Sequence, residues 1–175
     1  MLARRSVRGL KRRGAAAVES ALVLGIFFVL LFGVFEYCRF LMVLHVTNNA
    51  ARDASRYATV NVANDQMTKD AILQYAKDRM GGTERNIRDF EVAVYPCTAA
   101  GFAQSPPQAV PKSLTASSAD PFNPADANNP PWNSASFTER IAVTIRGRYE
   151  PITPLMLFLP DSIPIRITAV AGSEG

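Results

Sequence analysis

One carboxylate, Glu19, stands inside an otherwise uncharged apolar run from Gly14 to Phe35, GAAAVESALVLGIFFVLLFGVF. A run of about 20 such residues, at about 1.5 Å each, makes a helix that crosses a bilayer. A charge at membrane depth is costly, and most intramembrane acids have a partner. The plainer reading is that a carboxylate in the first turn complements the positive end of the helix dipole and reaches the headgroups. The other chemistry-bearing residues form no constellation. Cys38 and Cys97 are permitted to pair in an extracytoplasmic chain. Nothing in the sequence brings them within bridging distance, so two unpaired, buried thiols are the better reading. His45 is the sole histidine, flanked by Leu44 and Val46 with no metal-ligand spacing around it, which favours a packing or surface role. Asp120, Asn123, Asp126 and Asn128 offer oxygen donors for calcium. Their spacing fits no EF-hand loop, and they read as turn formers between prolines. Arg52 and Arg56 lie one helical turn apart beside Asp53, as a solvated face or a contact surface for other proteins. There is no nucleophile motif, no His–carboxylate pairing and no phosphate-cradling glycine loop, so no enzyme, cofactor or metal site is expected.

Charge is distributed unevenly. The chain has 19 basic and 15 acidic residues for a net charge of +4, yet six of the basic residues (Arg4, Arg5, Arg8, Lys11, Arg12 and Arg13) precede Ala15 with no acid among them. The remainder is slightly acidic, which speaks against a nucleic-acid-binding face. A basic segment abutting an apolar helix is a positive-inside signal: it places the N-terminus in the cytoplasm and the rest outside. A secretory signal peptide shares this layout. The apolar run is longer than a typical signal core, however, and Gly33–Tyr37 (GVFEY) lacks an A-x-A-like cleavage site. An uncleaved anchor is the second choice.

From Arg12 to Leu24 the sequence R-R-G-A-A-A-V-E-S-A-L-V-L closely resembles the processing site and helix start of TadE-like minor pseudopilins of tight-adherence (Flp-type) pili. Looser resemblance runs to about Val60. The resemblance implies that a prepilin peptidase cuts between Gly14 and Ala15, where small side chains let an extended backbone enter an intramembrane active site. It makes Glu19 the fifth residue of the mature chain, an assembly charge for the new amino terminus of a neighbouring subunit. Pairing in hydrocarbon removes two otherwise unpaired charges at once. Ser20 stands where the family commonly has an aromatic residue, and Gly25 where it commonly has a proline.

All twelve prolines lie between Pro96 and Pro164, so nothing interrupts a helix in the first 95 residues. Past the membrane the apolar and small residues Val43, Val46, Ala50, Ala54 and Tyr57 recur on one helical face, with Asn49, Arg52, Asp53 and Arg56 on the other. A continuous helix from Ala15 to Val60 would be roughly 70 Å long, a pilin-type stalk. Glu36 and Arg39 are spaced to pair at the headgroup level, where an exposed pair contributes little. A second helix is expected from about Asp65 to Met80, capped by Asn64 or Asp65 and stopped by Gly81-Gly82. Strand period follows at Asn86–Tyr95, which Pro96 should end, then at Glu139–Glu150 and Ile163–Ala171. Between the first two strands lies a long Pro/Ala/Ser/Asn-rich stretch that only Phe122 and Trp132 are suited to pin down. An apolar knot, Leu155–Leu159, sits between Pro154 and Pro160.

The expected architecture is α+β: a long N-terminal membrane-spanning and amphipathic helix packed on a small antiparallel sheet, pilin-like. Its parts are a basic cytoplasmic leader (1–14), a transmembrane helix (15–36), an amphipathic extension (37–62), a helix plus first strand (63–95), a loop (96–137) and C-terminal strands (138–175). The resemblance implies a single-pass protein of the inner membrane, with its C-terminal domain periplasmic or extracellular. It would act without catalysis in assembling a tight-adherence pilus or related secretion filament. Its partners would be membrane lipid, a prepilin peptidase, other pseudopilins and the major pilin, and inner-membrane platform proteins. The alternative is a signal-anchored periplasmic binding or structural module with no filament role, and an anchored enzyme comes third.

Overall fold

The computed structural model describes residues 8–64, 66–98, 110–111, 122, 131–135, 140–152 and 161–172, leaving aside the side chains of 8–13, 98, 110 and 111. Helix α1 runs over Arg8–Val60, so it starts earlier than the Ala15 expected: the leader residues from Arg8 to Gly14 contain good helix formers and no proline. The chain divides into two compact units, Met1–Arg39 with Pro151–Leu159, and Phe40–Glu150 with Pro160–Gly175.

In the first unit the apolar part of α1 is long and apolar enough to cross a membrane, and none of it is buried within the chain. Val18 is 70% exposed, Leu22 63% and Leu30 66%, which is not how the core helix of a soluble domain looks.

The second unit is built on an antiparallel sheet of β1 (Ile87–Thr98), β2 (Val110–Pro111), β3 (Arg140–Tyr149) and β4 (Ile163–Gly172), ordered β2-β1-β3-β4. Three strands carry the sheet, and β2 adds only two pairs, Cys97↔Pro111 and Thr98↔Val110. The register Val94↔Val143↔Ala169 places the apolar set expected from the strand period on one face. There Val43, Ala50 and Ala51 of α1 pack with Ile145, Tyr149, Ile165 and Ala169. Ala54 and Ala58 pack with Ile72 and Ala76 of α2 (Lys69–Met80), Val94 and Val143. The helix is small-sided from Ala50 to Ala58, whereas earlier Val43 is buried and Phe40 meets the Tyr149 ring edge-on at 5.2 Å. Thr47 and Ser55, also buried, turn their hydroxyls back onto the carbonyls of Val43 (2.7 Å) and Arg52 (2.8 Å), so no donor is left unpaired.

Three local expectations need correction. Helix α2 starts at Lys69, with Thr68 as its cap: the Thr68 hydroxyl accepts the Ala71 N–H at 3.2 Å, whereas Asn64 accepts that of Gln66 in a turn outside the helix. Gly81 does end it, in the left-handed conformation at φ 58°. Strand β1 does not stop at Pro96 but runs through it to Thr98, with Pro96 opposite Ile141. That position is flanked by β3 alone among the described pairings, where a strand tolerates a missing N–H on its open side. Finally, the sheet face turned away from α1 is partly buried too, although Glu91, Arg166 and Thr168 on it are exposed. Ala93, Tyr95, Cys97 and Ala142 form a second buried cluster with Phe122 and Val170. A hydroxyl ladder crosses three strands there, Tyr95 to Thr144 at 3.0 Å and Thr144 to Thr168 at 2.8 Å.

A bulge between Arg88 and Glu91 bends β1 against β3. Asp89 takes φ 51° within it, and Gly147 lies so close that an added Cβ would meet the Ile87 side chain and, at 2.9 Å, the Arg88 carbonyl oxygen. Only glycine fits at 147. The aromatic residues expected to hold the long connection do so: Trp132 is buried with Val94, Ile141 and Val143, and Phe122 packs on the opposite face under the Arg146 guanidinium, 3.8 Å from its ring centre.

Candidate functional site

The residues singled out at the N-terminus lie on one continuous stretch of α1. Gly14, Ala15 and Glu19 are all exposed and helical, and an added Cβ at Gly14 meets nothing within 4 Å. Glu19 has no ion-pair or hydrogen-bond partner among the described residues, and the first-turn placement expected for it fails: α1 starts at Arg8 with no acid in its first turn, so the helix end does not compensate this carboxylate. Arg8, Lys11, Arg12 and Arg13 fall in the first turns of α1, while Arg4 and Arg5 lie outside the described residues.

At the other end of the apolar stretch is a carboxylate that the spacing undersold. Glu36 pairs with Arg39 at 3.3 Å, as three-residue spacing allows, but the pair is not the exposed one expected. Glu36 is only 6% exposed and also accepts the backbone N–H of Ile152 at 3.4 Å. It thereby ties the start of the β3–β4 connection to the helix within the first unit. The partner lies 116 residues away in sequence, beyond the reach of any local pattern.

The two cysteines are both free thiols, as read from the sequence, but only Cys97 is buried; Cys38 is exposed. The expectation of two buried thiols fails for Cys38, which is two residues past the buried Glu36 and so on the other side of α1. Burial pushes the Cys97 thiol up to about 11, partly offset by Arg140, so this sulfur is an inert packing group. The Tyr95 phenol is likewise raised by burial, against the bond from Thr144. His45 is exposed on α1, and among the described residues no cluster of three His, Cys, Asp or Glu side chains forms a metal site. Asp120, Asn123, Asp126 and Asn128 lie outside the described residues, as does the apolar knot Leu155–Leu159. Arg52 and Arg56 are exposed on the last turns of α1, and neither has a partner among the described residues. Asp53 faces Arg79 instead, at 3.7 Å.

The first unit brings no grouping of catalytic side chains together among its described residues. It is an apolar helix with one uncompensated acid near its start, a glycine–alanine junction just before that acid, and a tethered acid at its end. Residues 14–56 match the family described as TadE-like protein, and the match begins at Gly14 and takes in Glu19 and Glu36. Over that stretch the N-terminal helix is similar to TadE-like proteins. No curated protein and no solved structure matches the chain.

Proposed function

We propose that the protein is a minor pseudopilin acting in assembly of a tight-adherence (Flp-type) pilus or a related secretion filament. It would sit in the inner membrane through α1, N-terminus in the cytoplasm and sheet domain outside, and work by packing rather than by catalysis. The observation that carries this reading is the TadE-like segment, which starts at the glycine after which the cut is expected. Its partners on this reading are a prepilin peptidase, other pseudopilins, the major pilin and the platform proteins of the inner membrane.

Processing tests it first. Co-expression with the matching peptidase should leave a chain that begins at Ala15 by intact mass, and Gly14→Val should leave Met1–Gly14 attached. Open space around Gly14 means that the valine is harmless to the fold, so any block falls on the peptidase step. Assembled material that keeps Met1, or a cut near Gly33, would overturn the reading. Glu19→Gln then separates the two accounts of the acid. It keeps the shape and removes the charge that would meet the neighbour's α-amine, which is positive at neutral pH. Insertion and cleavage should be normal while incorporation into filaments, scored by immunoblot of sheared pili, is lost. Full assembly with Glu19→Gln would rule out the pairing role.

A further inference from the structure

The end of α1 and the end of β4 enclose an open groove of about 770 Å³. Arg52, Arg56, Thr59 and Val60 wall one side, and Val170–Gly172 the other. All of these lie in the second unit.

Three properties of the groove point to one kind of occupant. The first is charge. Arg52 and Arg56 project one turn apart, at about 6 Å spacing, and neither has an ion partner among the described residues. Asp53, the one carboxylate between Ala50 and Val60, is engaged with Arg79. The second is the strand edge. β4 pairs with β3 on one side and with no described strand on the other, so among the described residues its outer backbone N–H and C=O groups have no strand partner. The third is the apolar wall. Val60 is 83% exposed, and the space around Gly172 is open, with nothing within 4 Å of an added Cβ. A second hollow of about 330 Å³ adjoins it, sharing Arg56 and Val60. There the Tyr57 and Tyr75 rings stack at 4.2 Å, and the Arg79 guanidinium lies over Tyr75 at 4.9 Å. Pre-ordered tyrosine and arginine side chains are what binding hot spots are made of.

A free inorganic anion would use the two guanidiniums and leave the valine wall and strand edge idle. A lipid headgroup would do the same. An extended peptide uses all three: main-chain bonds along β4, a carboxylate across the arginines and an apolar side chain against Val60. We propose that this groove receives an extended, acidic segment of a partner protein, which adds to the sheet at the end of β4 and sets a carboxylate between Arg52 and Arg56. The proposal stands on the geometry of the folded domain and holds whether or not the filament reading does.

The test uses the full chain in detergent micelles and a random eight-residue peptide library displayed on phage. The wild-type chain should enrich peptides that alternate apolar residues with Asp or Glu. The Arg52→Gln/Arg56→Gln double variant should lose that enrichment, whereas Arg148→Gln, an equally exposed arginine elsewhere on the sheet, should keep it. The best peptide, labelled and titrated by fluorescence anisotropy, should bind at least tenfold more weakly to the double variant. It should lose at least tenfold again when its alternate backbone nitrogens are methylated. Equal melting temperatures for all three chains exclude a folding effect. Enrichment that ignores the arginines, binding that tolerates N-methylation, or no enrichment at all would overturn the proposal. So would a chain that dimerises by sedimentation in detergent and reverts to a monomer with Arg56→Gln, since the groove would then belong to a second copy.

Discussion

From Val18 to Phe35, helix α1 carries large apolar side chains that no described residue buries, Leu22, Phe27 and Leu30 among them. From Ala50 to Ala58 the buried residues of the helix are small, and Ala51, Ala54 and Ala58 are fully buried. Both stretches are apolar, yet only the second is a core. Bulk without cover suits a lipid or helical environment, where dispersion against neighbours replaces burial within the chain. Small residues under full cover let a helix backbone sit down on a sheet, and their contribution comes from close packing rather than from area. Hydrophobicity alone would rank these stretches in the wrong order for domain stability.

Three substitutions break or sharpen that contrast, each measured as guanidinium unfolding of the full chain in detergent by far-ultraviolet circular dichroism. Trp132→Ala should have the largest effect, a loss of about 3–5 kcal/mol, because it removes the largest side chain from the buried cluster that includes Ala54, Val94 and Val143. Ala54→Leu should follow at about 1–3 kcal/mol, since three added carbons have nowhere to go between helix and sheet. Leu22→Ala, a larger deletion of apolar surface than either stretch's alanines could suffer, should leave the domain's midpoint within about 0.5 kcal/mol of wild type. If Leu22→Ala destabilised the domain as much as Ala54→Leu, the apolar stretch would have a hidden role in the fold and the contrast would fail.

Much of this was legible along the chain because it is written in local periods. Alternation in Glu139–Glu150 and Ile163–Ala171 located β3 and β4 to within a residue, and the proline-free first half allowed one long helix. Phe122 and Trp132 stood out as the large apolar residues in a polar stretch, and both pin it. The misses share a cause of another kind. Pro96 reads as a stop only if both sides of its strand are paired along its length, which is a property of the sheet and not of the residue. Thr144 looks like a solvent-facing strand residue, but it is fully buried because tyrosine and threonine hydroxyls from neighbouring strands satisfy it. Glu36 reads as half of a surface pair, but it is buried and bonded to Ile152, 116 residues away in sequence. At the candidate site, Gly14 and Glu19 were readable from motif, whereas the groove beside Arg52 and Arg56 needed β4 to be placed next to α1.

The placement of Phe122 and Trp132 on opposite faces of the sheet has a consequence for how this chain tolerates change. Residues 99–139 join β1 to β3, and the entropy of closing such a connection grows only with the logarithm of its length, about 0.6 kcal/mol for each doubling. Two aromatic anchors divide that closure into three shorter ones, each with its own weak dependence on length. Insertions and deletions between the anchors are therefore nearly neutral, while replacement of either ring is not. Across descendants of this sequence the intervals should drift in length and composition, with an aromatic residue persisting on each side of the sheet.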